Sequence, residues 1–161
     1  MTRALYIFIF FFVTYFNAFS QKSVNDYKYI IVPSQYEFLS EQDQYQLNSL
    51  TKFLFNKYGY TAFMNNEDFP QDLRLNNCLA LTADVVKESG FLKTKVRIDL
   101  KDCLGSIVHS SQIGESREKE FAKTYNLALR EAFETFQNMD YNYQPNEAIL
   151  AKSTPQTSIV N

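Results

Sequence analysis

Between Leu79 and Lys101 apolar and polar residues alternate, and this alternation limits the fold more than any other feature of the chain. Leu79, Leu81, Ala83 and Val85 share one face of an extended segment. Val96, Ile98 and Leu100 share one face of the next, while Lys95, Arg97, Asp99 and Lys101 take its other face. A period of two belongs to a strand with one dry and one wet side. The stretch therefore predicts an antiparallel hairpin whose charged side faces water or a partner. Asp102-Cys103-Leu104-Gly105 suits a type I turn with Gly105 left-handed as a bulge, and Ser106–Gln112 predicts the return strand of a second hairpin.

The flanking segments have other periods. Tyr27–Val32 is a β-branched and aromatic run closed by Pro33, which predicts a buried strand. Ser40 is a suitable N-cap for a helix over Glu41–Tyr58, with Leu47, Leu50, Leu54 and Tyr58 as a stripe that Phe53 widens. Tyr60–Met64 predicts a second short strand, and Pro70 opens one or two helical turns to Leu75. Ser116 caps a predicted final helix reaching Gln137, whose apolar face includes Phe121, Tyr125, Leu129, Phe133 and Phe136. The expected class is α+β: a mixed sheet of about five strands in the order β-α-β-β-β-β-α, with a right-handed parallel first crossover and two helices on one face.

The first twenty residues read as an address. One cation, Arg3, precedes an apolar run from Ala4 to Phe16, and Ala18-Phe19-Ser20 offers small residues where a signal peptidase reads them. Cleavage is expected after Ser20, giving an exported protein, periplasmic or secreted. The rival reading is a membrane anchor, but the run is shorter than the about 20 residues a helical span needs. Residues 21–137 then form a single α+β domain. Residues 138–161, polar and without a sustained period, predict a mobile tail.

Composition removes whole function classes. The chain of 161 residues has a single histidine, His109, and two cysteines, Cys78 and Cys103, so a zinc site of His and Cys ligands is not expected. Its four glycines stand far apart, which excludes a dinucleotide fingerprint and a phosphate-cradling loop. A net charge of −2 leaves no basic excess for nucleic acid. No cofactor and no catalytic residue are predicted.

Two cysteines in an exported chain suggest a disulfide, with free thiols as the alternative. The register that sets Leu81 opposite Leu100 and Ala83 opposite Ile98 also sets Cys78 opposite Cys103 on the outer face; neighbouring registers leave them one diagonal step apart. Across the second hairpin a similar register sets His109 opposite Asp99, with Ser110 and Ser111 close by. That superficially resembles a Ser, His, Asp arrangement, but regular strand positions lack the exposed elbow and oxyanion donors of acyl transfer. A cross-strand charged pair is the plainer reading. Arg97, Asp99, Lys101 and His109 thus form the candidate contact surface. Tyr141 and Tyr143 have no evident core role and are a candidate docking motif in the tail.

KYIIVPSQYEF, QLNSLTKFLFNKYGYTAF, KVRIDLKDCLGSIVHSSQIGESREKEF and YNLALREAFETF together resemble a family of small uncharacterised exported proteins of flavobacteria and other Bacteroidetes, over Tyr27–Phe136. The resemblance implies export and a domain extent, and brings no catalytic residues. More remotely, Val96–Ser116 is similar in pattern to envelope accessory domains. Examples are the N-terminal domain of the Tol translocation β-propeller protein and the lipoprotein activators of penicillin-binding proteins, although the lipidation cysteine of the activators is missing here. The expected function is a non-enzymatic binding or adaptor module of the cell envelope, working by contact with an envelope protein. The alternatives are a small-ligand or glycan-binding protein using the aromatics and, third, a small hydrolase.

Overall fold

The structure, a computed structural model, describes residues 22–151. The expected leader with its cleavage point, and the last part of the expected tail, lie outside the described residues. Among the described residues no helix is long and apolar enough to cross a membrane.

The architecture is α+β, as the periodicities predict. Strand β1 (Tyr29–Val32) leads through a loop into helix α1 (Leu47–Lys57), and β2 (Ala62–Met64) follows. A short helix α2 (Gln71–Leu75) precedes the long hairpin of β3 (Ala80–Glu88) and β4 (Thr94–Lys101). Strands β5 (Ile107–Ser110) and β6 (Gly114–Ser116) come next, then α3 (Phe121–Ala132), α4 (Glu134–Gln137) and α5 (Glu147–Leu150). The sheet order is β2-β1-β3-β4-β5, with β6 also on β4. β1 is parallel to both β2 and β3, and the remaining pairs are antiparallel.

The core lies between this sheet and the helices. Leu81, Ala83, Val85, Val96, Ile98 and Leu100 are all buried on the inner face, as their alternation requires. Against them packs an aromatic cluster in which Phe55 meets Phe133 at 4.7 Å, Phe136 at 5.1 Å and Tyr60 at 5.3 Å between ring centroids. On the outer face Phe63 packs against Tyr29 and Phe69 against Phe63 at the β1–β2 end, where Lys28 and the Tyr29 hydroxyl both reach Asp72 of α2. Among the described residues, the outer side of β3, β4 and β5 carries no such layer.

Four expectations change in detail. The first helix begins at Leu47, because Glu41–Gln46 is a loop with left-handed backbone at Asp43, Tyr45 and Gln46. Asp43, rather than Ser40, ties down the helix start, accepting from the Ser49 amide at 2.8 Å and from the Ser49 hydroxyl. Phe53 is left 56% exposed, outside the core stripe.

The final helix begins at Phe121, because Ser116 belongs to β6, paired with Thr94, and it breaks at Phe133. Between β5 and β6 the edge chain uses one more residue than β4, and Ser111 closes the gap: its amide donates to the Ile98 carbonyl at 2.8 Å and its hydroxyl accepts from the Ile98 amide at 2.9 Å. Gly114 admits α3 at close range. A Cβ there would stand 1.9 Å from the Ala128 carbonyl oxygen and 2.5 Å from the Ala132 nitrogen.

The hairpin register also differs. Ala83 faces Leu100 and Val85 faces Ile98, one diagonal step from the register drawn through the two cysteines. The inner face is preserved, since this step keeps parity. The disulfide forms outside the ladder: Cys78 sits on a 3-10 turn (Asn77–Leu79) before β3, Cys103 in the turn after β4, with Cα atoms 4.9 Å apart.

Lastly, the chain beyond Gln137 is docked as far as Ala151. Gln144 donates its amide to the Asn25 carbonyl at 2.8 Å, and the Asn76 side chain donates to the Ile149 carbonyl at 2.9 Å. A mobile tail starting at Asn138 is therefore not what these residues form. Ile149 is buried, and the Asn25 carbonyl ahead of β1 and the Asn76 side chain at the 3-10 turn hold the segment where composition alone suggests freedom.

Candidate functional site

The uncovered outer face of the hairpins carries the charged residues that the alternation singles out. Register decides who meets whom. Thr82 faces Lys101, Asp84 faces Asp99, Val86 faces Arg97 and Glu88 faces Lys95. Two carboxylates directly opposed across a ladder repel, and here cations on diagonal positions resolve the repulsion. Arg97 forks onto Asp99, with Nε to Oδ1 at 2.8 Å and Nη2 to Oδ2 at 3.0 Å, and its Nη1 reaches Glu88. Lys101 Nζ meets Asp84 Oδ2 at 2.6 Å. From β5, the Ser110 hydroxyl donates to Asp99 Oδ1 at 2.6 Å.

Asp99 is the hub, only 2% exposed. Burial by itself would push its carboxyl up; the Arg97 fork, the Ser110 hydroxyl and the nearby Lys101 charge outweigh it and hold the group below the usual carboxylate range. Lys101 is shifted up, chiefly by its bond to Asp84. Beside this network the β4–β5 hairpin presents apolar surface, with Ile107 54% and Leu104 72% exposed. Ile107 pairs with Lys101 and so lies on the same outer face. The turn between them is rigid: Asp102 accepts from the Leu104 and Ser106 amides at 2.9 Å each, and Gly105 takes φ +79°, as the turn residues predict.

His109 is not part of this face. An irregularity between Leu100 and Lys101 pairs Leu100 with His109 and Asp99 with Ser110. A slip of one residue reverses the face of every side chain. The imidazole therefore points inward and stacks edge-on against Phe136 at 5.9 Å, with Nε2 buried and without a partner. Burial pulls its pKa down. The Ser, His, Asp arrangement dissolves, since Ser110 and Asp99 meet without the histidine.

Tyr141 is likewise committed. Its hydroxyl donates to the Tyr27 carbonyl at 2.8 Å and its ring stacks on Tyr60 at 4.3 Å, so it serves to dock the C-terminal segment. Burial pushes its phenol up to about 12. Tyr143 lines a cavity of 260 Å³ with Lys28, Asp72 and Leu75. The two tyrosines thus do not form one exposed motif. Among the described residues no group of three or more His, Cys, Asp or Glu side chains is placed to hold a metal ion.

Asp84, Glu88 and Ser110 complete the network, yet sequence spacing gives them no special standing. Their signal is the register, which depends on a turn length and a bulge that the alternation does not encode.

No protein-family model matches the chain, and no curated protein matches it. Among solved structures it is similar to PelC of Paraburkholderia phytofirmans. A point variant of the PelC dodecamer is 14% identical over 74% of this chain and 96% of that chain, with a TM-score of 0.47. A PelC dodecamer in another crystal form is 14% identical over 76% and 95%, with a TM-score of 0.46. Similarity at this level carries no argument about function.

Proposed function

We propose that this protein is an exported, non-enzymatic binding module of the cell envelope, which acts by contact with an envelope protein through the outer face of β3, β4 and β5. One observation carries the reading. This face pairs a fixed lattice of charges with the exposed apolar side chain of Ile107, and Leu104 stands exposed in the turn beside it. Side chains held in place before binding lose less entropy on association, and opposite charges at fixed positions select a partner by complementarity. The leader-like first twenty residues and the Cys78–Cys103 disulfide support export, because disulfides persist in oxidising compartments.

The interface is tested with Lys101→Glu, which breaks the Asp84 pair, and with Ile107→Glu, a solvent-side change; neither removes a member of the Arg97–Asp99 pair. A tagged full-length copy of each is recovered from crosslinked cells, and circular dichroism checks that it folds. Loss of a specific envelope partner that wild type retains is expected. Recovery of the same partner in the same yield from both variants would overturn the reading.

A further inference from the structure

On the solvent side of the helix layer, α1 and α3 leave a groove between them. A cavity of 430 Å³ there is lined by Asp43, Gln46, Ser49, Phe53, Asn126 and Arg130, with Leu50 beneath. A second, of 380 Å³, shares Gln46 and Asn126 and continues past Tyr45 to Lys123 and Leu127. The two form an elongated trough on the face of the molecule opposite the charged lattice.

The backbone at its rim is strained. Asp43, Tyr45 and Gln46 take φ of 47°, 59° and 58°, in the left-handed region that residues with a Cβ seldom adopt. Packing enforces it: the Tyr45 ring stacks on Tyr125 at 5.6 Å and on Phe121 at 6.4 Å, and the Asp43 carboxylate is fixed by Ser49. Strain of this kind, held by surrounding structure, concentrates where a ligand is gripped. The Arg130 guanidinium is oriented as well, its Nε donating to Asn126 Oδ1 at 2.8 Å, while among the described residues no carboxylate forms an ion pair with it. Phe53 lies open in the trough although Leu47, Leu54 and Phe55 satisfy the core face of the same helix.

An open aromatic face ringed by amide, guanidinium and carboxylate groups suits a ligand with one apolar side and an edge of hydroxyls. A sugar ring has that shape. A wholly apolar ligand would cover polar groups of Gln46, Asn126 and Arg130 without bonding to them, and a polyanion would meet the Asp43 charge. We infer that the trough is a binding site for a short oligosaccharide, with Phe53 beneath the C–H face of one ring and Asp43, Gln46, Asn126 and Arg130 bonded to its hydroxyls.

The full chain, labelled with 15N, is titrated with the neutral oligosaccharides maltohexaose, cellohexaose and chitohexaose, and amide shifts are followed by NMR. Saturable shifts confined to Asp43–Phe53 and Ala122–Arg130 are expected with at least one of the three. Phe53→Ala should weaken that binding about tenfold or more, as loss of a stacking partner does, and Arg130→Gln should also weaken it. Lys101→Glu, on the opposite face, should leave it unchanged, which separates this site from the protein-contact face. Absence of saturable shifts with all three sugars, or binding that Phe53→Ala leaves intact, would overturn the assignment. Since Phe53 is on the surface, its variant keeps the core, and Arg130→Gln gives an independent second reading of the same site.

Discussion

At the scale of single residues, Asp99 and His109 are neighbours across one strand pair with opposite fates. Asp99 is buried on the charged side and survives as a carboxylate because Arg97 and Ser110 bond to it. Truncating Arg97 to Met leaves that charge without its fork, so a loss on the order of 1–3 kcal/mol is expected in urea unfolding. Replacing both partners, as Arg97→Met with Asp99→Leu, should recover much of it, because an apolar pair has no desolvation to offset. Since the Asp99 carboxyl is shifted down in the folded state, its stabilisation is full above the ordinary carboxylate range near ~3.9 and declines as pH falls below it. On acidification, His109 loses its contribution before Asp99 does. Its folded pKa is lowered by burial, so the fold favours the neutral ring; stability is full above the unfolded value of ~6.5 and falls as the medium is acidified below it. His109→Leu should flatten the dependence of the urea midpoint between about pH 7 and 5. An unchanged slope would show that another group titrates there.

At the scale of elements, β6 shows what a small residue permits. Gly114 lets α3 lie directly on the sheet edge, so Gly114→Ala forces helix and strand apart and should cost about 1–3 kcal/mol, measured as a lowered urea midpoint. Phe55→Ala, at the centre of the aromatic cluster, should cost about 3–5 kcal/mol in the same assay. The hairpin of β3 and β4 was legible because Leu81–Val85 and Val96–Leu100 encode the dry face directly. β6 was hidden: Gly114-Glu115-Ser116 has no apolar period and is a strand only because β4 extends past β5 to receive it. The start of α1 was hidden too, since Asp43 reaches Ser49 only when the loop turns left-handed, a tertiary effect that helix propensity does not contain. The candidate site was half legible. Alternation exposes Arg97, Asp99 and Lys101, while their partners Asp84, Glu88 and Ser110 depend on register, and one bulge moves His109 to the other face.

At the scale of the whole molecule, one disulfide and a docked C-terminal segment close a small α+β domain whose two faces differ. The disulfide spans a sequence separation of 25 and ties the start of β3 to the end of β4. Reduction should lower stability by roughly 2–4 kcal/mol, read as a shift in urea midpoint with and without a thiol. The helix layer carries a trough with strained walls, and the sheet carries a charged lattice beside Ile107. The central claim is that this sheet face is the surface a partner uses. The most direct test places a photo-activated crosslinking residue at position 107 and, in a separate copy, at position 57 on the helix layer, followed by irradiation of intact cells. A discrete adduct from position 107, absent from position 57, is the predicted result. No adduct at position 107, or the same adduct from both positions, would contradict it.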